Sequence, residues 1–160
     1  MNDRCSQSGI VVRPAAASDV AAICLLEQAC FPDPWSGEAL YRDLVGNPSA
    51  HYLAAVLPDG QLAGYIAWWQ IIDDVDIINI AVGPAWRRHG IGGRLLGSLI
   101  DLVTADGARR VHLEVRESNL AARSLYDRAG FHQIGTRNGY YANTGENAIT
   151  MLKILAQSPD

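Results

Sequence analysis

The amino-acid sequence predicts an α/β fold, with a mixed, mostly antiparallel central sheet flanked by helices on both faces. Strand-like segments at 51–57, 61–72 and 75–82 follow one another across short connections, as an antiparallel meander does. Ile91, Leu95, Leu99 and Val103 then recur every fourth position, which is the signature of a helix with one apolar side. In the next segment Val111, Leu113 and Val115 alternate with His112, Glu114 and Arg116, so this strand has one apolar and one polar face. A meander followed by strand-helix-strand units implies the mixed sheet and its two helical layers.

Local signals place the elements in order. Residues 1–9 are polar and aperiodic and read as a mobile tail before a first strand at 10–13. Ser18 is placed to cap a helix that runs to about residue 29, with Asp19 favourable against the helix dipole. The segment Phe31-Pro32-Asp33-Pro34-Trp35 forces a turn, after which Ser36 can cap a short helix to about residue 44. Pro58, Asp59 and Gly60 turn the chain between the first two meander strands, and Gly107 marks the end of the helix that begins at Ile91. Asn119 can cap a further helix through Ala129, and Gly130 can end it. Strands at 131–136 and 149–155 complete the order β-αα-βββ-α-β-α-β-β, with 156–160 as a C-terminal tail. No internal repeat or second domain is evident, so 10–155 reads as one domain.

Composition narrows the function classes. A chain of 160 residues can bury one core without metals or disulfides. A net charge of -4 argues against broad attachment to nucleic acid or to an anionic membrane and suits a basic partner. The three cysteines, Cys5, Cys24 and Cys30, cannot all pair within the chain and have no C-x-x-C spacing. With no secretory leader or membrane-length apolar run in view, the expected location is the cytoplasm.

The chemistry concentrates after the third meander strand. Arg87-Arg88-His89-Gly90-Ile91-Gly92-Gly93 is a basic turn whose glycines open a helix. Glycines let phosphate oxygens approach the backbone N–H groups, and the helix dipole adds attraction, so an anion site is expected; the alternative is a tight connection whose glycines only permit packing. Either of Arg87 and Arg88 could touch the anion. No Gly-Lys-Ser/Thr follows, which excludes a P-loop, and the dinucleotide pattern fails at Leu95.

The stretch from Ile80, Ala81 and Val82 through Gly83-Pro84-Ala85-Trp86 to Gly92 resembles the acetyl-CoA motif R/Q-x-x-G-x-G/A of the GNAT superfamily of N-acetyltransferases. Leu113 to Asn119, Ser124-Leu125-Tyr126 and Gly130-Phe131 are similar in particular to the bacterial ribosomal-protein alanine N-acetyltransferases, and the likeness covers nearly the whole chain. It implies a GNAT-like fold with acetyl-CoA as acyl donor and no metal. By resemblance the donor is held by Ile80, Ala81, Val82, Arg87, Arg88, His89, Gly90, Ile91, Gly92, Gly93 and Asn119. Gly93 stands where related sequences often carry a basic residue.

The resemblance gives Glu114 the role of proton acceptor and Tyr126 that of general acid toward the departing sulfur. An α-amino group, with a pKa of about 8, needs less help to lose its proton than a lysine at about 10.4. Without the resemblance, Glu114 reads as a strand carboxylate paired with Arg116 or His112, and Tyr126 as a core ring. A phenol at about 10 is no stronger an acid than a thiol at about 8.5, so a hydrogen bond to the thiolate suffices. Asn119 has two compatible tasks, helix capping and donor contact.

His51, His89, His112 and His132 show no metal-ligand spacing, and Cys24 and Cys30 read as small buried hydrophobes. Of Trp68 and Trp69, one ring is expected in the core and the other in solvent or a groove. Tyr140 and Tyr141 either line the acceptor side or simply end a strand. The acceptor implied is a protein N-terminus, foremost the N-terminal alanine of a ribosomal protein. Lysine, polyamine or small-molecule amines and a non-catalytic acyl-CoA-binding role are the alternatives. The segment 142–147 departs from the proline and longer acidic turn usual in the relatives, and it bears on the acceptor.

Overall fold

A computed structural model describes residues 9–156 of the chain. The tails expected at 1–9 and 156–160 therefore lie outside the described residues, apart from Gly9 and Ala156, as does Cys5. The elements are β1 (Val11–Pro14), α1 (Val20–Cys30), α2 (Gly37–Gly46), β2 (Ala50–Val56), β3 (Leu62–Ile71), β4 (Asp74–Val82), α3 (Ile91–Ala105), β5 (Arg110–Arg116), α4 (Leu120–Arg128), β6 (His132–Tyr141) and β7 (Glu146–Ile154). Their order is the one expected. All seven strands form one sheet in the order β1-β2-β3-β4-β5-β7-β6, and only β4 and β5 pair in parallel.

Alternation along the strands divides the core into two layers. Leu53, Ile66, Val75, Val111, Leu113 and Ile149 face α3 and α4, where Ile91, Leu95, Leu99 and Val103 supply the helical stripe that the sequence spacing predicts. Tyr52, Tyr65, Ala67 and Ala81 face the other way, against Ile23 and Leu26 of α1 and Leu40 of α2. Each buried valine, leucine and isoleucine among them contributes about 1.5–3 kcal/mol by leaving water.

Two of the expected caps form and one does not. Ser36 Oγ accepts from the Ala39 N–H at 3.1 Å, and Asn119 Oδ1 accepts from the Ala122 N–H at 3.1 Å. Ser18 caps nothing: it lies inside a 3₁₀ turn, Ala17–Asp19, that precedes α1. Asp19 organises this turn instead. Its Oδ2 accepts from the Ala16 N–H at 2.7 Å, and its two oxygens take a bidentate contact from Arg13 of β1 at 2.7 and 3.0 Å.

The end of the chain also differs from expectation, because β6 continues to Tyr141 and β7 begins at Glu146. As the sheet's edge strand, β6 is exposed at almost every position and shows no apolar period to read. Neither tryptophan lies free in solvent or a groove. Trp68 is buried and stacked on His51 at 5.4 Å, and Trp69, on the opposite face, gives its Nε1–H to the buried Asp43 at 3.1 Å.

The Arg13 guanidinium holds the Asp19 carboxyl below its ordinary value of 3.8, with the Ala16 N–H helping against the cost of burial. A depressed carboxyl stabilises the fold above its ordinary pKa and loses that contribution as pH falls through the folded value. Asp19→Ala should lower the unfolding free energy at pH 7 by about 1–2 kcal/mol, allowing for the half-exposed arginine. Urea titrations of mutant and parent should converge as the pH drops below 3.8; a gap of constant size down to pH 2 would exclude the ion-pair account.

Candidate active site

The parallel pair β4–β5 is short. Residues 74–77 pair with residues 110–113, and beyond them the strands part. The cause lies on the other side of β4, where Trp68 pairs with Ile77 but Ala67 pairs with Asn79, so Ile78 is an extra residue with no partner on β3. Such a bulge bends the strand and reverses the phase of its side chains. Val75 and Ile77 face α3 before it, as do Ile80 and Val82 after it.

The gap is a cleft of about 390 Å³, within the range of ligand sites. Residues 77–80 of β4 and 113–116 of β5 form its sides. Glu27 and Cys30 of α1, with the 31–35 linker, close one end, and Asn119, Ala122 and Tyr126 the other, with Tyr141 at the rim. Cys30 is therefore not the buried hydrophobe expected. It is half-buried in the cleft wall, with its Sγ–H donating to the Val82 carbonyl at 3.4 Å.

The glycine loop leaves β4 at Val82 and passes through a second 3₁₀ turn, Pro84–Trp86. Arg88 and Gly90 both take left-handed backbone, at φ 67° and 75°, which swings the chain into α3. The first helical bond runs from the Arg94 N–H to the Gly90 carbonyl at 3.1 Å, so the N–H groups of Ile91, Gly92 and Gly93 have no partner within the helix. A Cβ on Gly92 would lie 3.4 Å from Leu125 of α4 and 3.9 Å from Val82. Gly92 thus lies close against α4, while Gly90 supplies the left-handed turn into the helix. Arg87 folds back across the end of β4, its Nε donating to the Val82 carbonyl at 3.3 Å and its NH2 to Cys30 Sγ at 3.6 Å; Arg88 is exposed. His89 sits against Trp86, with ring centroids 6.2 Å apart.

Glu114 is in the cleft wall, and the partners considered for it from sequence are not the ones it has. His112 lies 3.8 Å from Asp74, and Arg116 lies 3.5 Å from Glu146. Glu114 Oε1 is instead held by Arg137 of β6 at 2.8 Å, while Oε2 is buried without a hydrogen-bond partner among the described residues. An orphaned carboxylate oxygen costs about 1–3 kcal/mol, and a site for a ligand or water accounts for it.

Tyr126 is buried on α4, edge-on to Phe131 at 5.7 Å between centroids, and also lines the cleft. Burial raises its phenol above the usual value of 10, with Tyr141 adding to the effect. Asn119 spends Oδ1 on its cap and borders the cleft as well. Tyr141 stands in the cleft wall with the Arg116 guanidinium 3.9 Å from its ring centre, whereas Tyr140 is half-exposed.

Sequence reasoning passed over Glu27, Asn79 and Arg137. Glu27 follows Ile23 by four positions and so falls on the buried side of α1, which was a readable signal. Asn79 carried one too: the polar positions of β4 change from even, at Asp74 and Asp76, to odd at residue 79. Arg137 lay beyond the expected end of β6. Among the described residues, no group of three or more His, Cys, Asp or Glu side chains could hold a metal ion, and no helix is long and apolar enough to cross a membrane.

Parting parallel strands beside a helix that opens on glycines, with a carboxylate and a phenol in the same cleft, suit an acyl-CoA-dependent N-acyltransferase. The chain belongs to the acetyltransferase (GNAT) family, whose pattern matches residues 20–131, and it is an acetyl-CoA-dependent N-acetyltransferase. It is 39% identical over 140 residues to a Bacillus subtilis protein provisionally named a ribosomal protein bS18-alanine N-acetyltransferase, covering 88% of this chain and 92% of that one. The Salmonella typhimurium ribosomal protein bS18-alanine N-acetyltransferase is 35% identical over 139 residues, 85% of this chain and 91% of its own. The crystal structure of the Escherichia coli ribosomal-protein-S18-alanine N-acetyltransferase superposes with a TM-score of 0.87 at 28% identity, over 94% of this chain and 97% of that one.

Gly92→Val would fill the space between β4 and α4 above the open amides. It should weaken coenzyme A binding by about tenfold or more while leaving the circular dichroism spectrum unchanged; calorimetric titration with coenzyme A measures it.

Proposed function

We propose that this enzyme transfers the acetyl group of acetyl-CoA to the α-amino group of a protein N-terminus, that of a ribosomal protein beginning with alanine. The observation that carries the reading is Glu114 at the parting of β4 and β5, with one oxygen held by Arg137 and the other free inside the cleft. The names of relatives matched over most of both chains support the acceptor. Residues 10–155 then act as a single acetyltransferase domain, in the cytoplasm where ribosomal proteins are made.

In this reading the N–H groups of Ile91, Gly92 and Gly93 hold the pyrophosphate, with Arg87 and Arg88 adding charge and His89 and Gly90 shaping the turn. The backbone of Ile80, Ala81 and Val82 and the side chain of Asn119 guide the pantetheine arm. Acetyl-CoA supplies a thioester whose carbonyl carbon is open to an amine. Glu114 accepts the proton that the amine gives up, directly or through a water at Oε2. As the N–C bond forms and the C–S bond breaks, the Tyr126 hydroxyl donates a hydrogen bond to the sulfur. Its raised pKa favours this role over full proton transfer.

Glu114→Gln should cut kcat by roughly 10²–10⁴-fold and leave coenzyme A binding within twofold. Tyr126→Phe should cut kcat by about 10–10²-fold. Because burial raises the Tyr126 pKa, the phenol stays protonated past its ordinary value of 10. The rate should therefore show no alkaline decline from this group below that pH; a decline present in the parent enzyme and absent from the phenylalanine variant refutes the assignment. Mass spectrometry of peptides differing only in their first residues, beside lysine-only and small-amine controls, tests the acceptor. N-terminal alanine peptides should be labelled, and turnover confined to the controls rejects the reading.

A further inference from the structure

Glu27 is 1% exposed, lies in the cleft wall, and has no cationic partner among the described residues. A buried carboxylate is tolerated only where donors replace its water. Here three donors come from three separate segments. Oε1 accepts from the Tyr65 hydroxyl of β3 and from Asn79 Nδ2 of β4, the latter at 2.6 Å. Oε2 accepts from the Trp35 N–H of the 31–35 linker at 3.1 Å. Asn79 is the residue directly after the bulge, and its Oδ1 accepts from the Ile80 N–H at 3.1 Å, so both ends of its amide are engaged.

We propose that Glu27 is a positioning residue that fixes the width of the cleft, one carboxylate oxygen holding the bulged wall of β4 through Asn79 and the other holding the 31–35 linker. The bulge makes β4 bend, but bending alone leaves its angle free. The Glu27-Asn79-Ile80 chain sets that angle from the layer of α1. It acts on the wall where Ile80 to Val82 run beside the donor. Tyr65 anchors the same oxygen from beneath and does not line the cleft. The inference rests on the acetyl-CoA reading of the cleft and not on the choice of acceptor.

Glu27→Gln keeps the shape but must turn its NH2 toward either Asn79 Nδ2 or the Trp35 N–H, and a donor facing a donor makes no bond. Asn79→Ala cuts only the link to β4, and Tyr65→Phe removes the anchor outside the cleft. Titration of each folded variant with coenzyme A needs no acceptor. Glu27→Gln and Asn79→Ala should each raise the Kd by roughly tenfold, the scale of a lost hydrogen bond to a charged group. Tyr65→Phe should melt a few degrees lower with its Kd within twofold of the parent. The proposal is overturned by a Kd within twofold in Asn79→Ala or by an equal loss in Tyr65→Phe. Should Glu27→Gln fail to fold, the contrast between the other two decides alone. Failure to acetylate any N-terminal peptide would defeat the acceptor reading and leave this result standing.

Discussion

One extra residue in β4 governs how this molecule works. A parallel pair of strands is held by evenly spaced, slanted hydrogen bonds that cannot continue once one strand bends away. Ile78 has no partner on β3, and the β4–β5 pairing ends one residue before it, at Ile77. On its far side β5 stays paired with β7 through Arg116, so the opening lies between β4 and β5. The helix that follows β4 must cross over to reach β5 in parallel, and this connection delivers the start of α3 to the same end of the sheet. The cleft and the start of α3 therefore both follow from the way β4 leaves the sheet.

The charges around the cleft follow two regimes. Near the outer sheet face, carboxylates are met by arginines: Asp74 by Arg110 at 2.7 Å, Glu146 by Arg116 at 3.5 Å and Glu114 by Arg137 at 2.8 Å. Beneath α1 and α2 they are met by neutral donors, as Glu27 is by Tyr65 and Asn79 and Asp43 by Tyr52, Asn47 and Trp69. Glu114 stands at the border, with one oxygen in the first regime and one unclaimed. A side chain left half-satisfied in the cleft wall differs in kind from the fully engaged carboxylates around it.

What could be read from sequence was what depends on near neighbours in the chain. The stripe from Ile91 to Val103, the alternation around Leu113, the caps at Ser36 and Asn119 and the helix stop at Gly130, where φ is 92°, each need only a few adjacent residues. The candidate pair Glu114 and Tyr126 also came out on one cleft, although the resemblance to known acetyltransferases, and no local pattern, picked them out. Arg137, 23 positions from Glu114 in the chain, and Asn79, 52 from Glu27, meet their partners only after the sheet assembles. Ser18 misled because capping propensity is a local preference, and Asp19 met a competing partner in Arg13, six residues away. The exposed edge strand β6 had no buried face to impose a period.

The contact between Glu27 and Asn79 has a meaning on the timescale of descent. Losing the carboxylate alone strands an amide and a backbone N–H in the interior, and losing the amide alone strands part of a buried charge. Neither position can drift freely while the other stays. Across relatives of this chain, residues 27 and 79 should therefore be inherited as a couple, exchanged together or not at all, although 52 positions separate them in sequence.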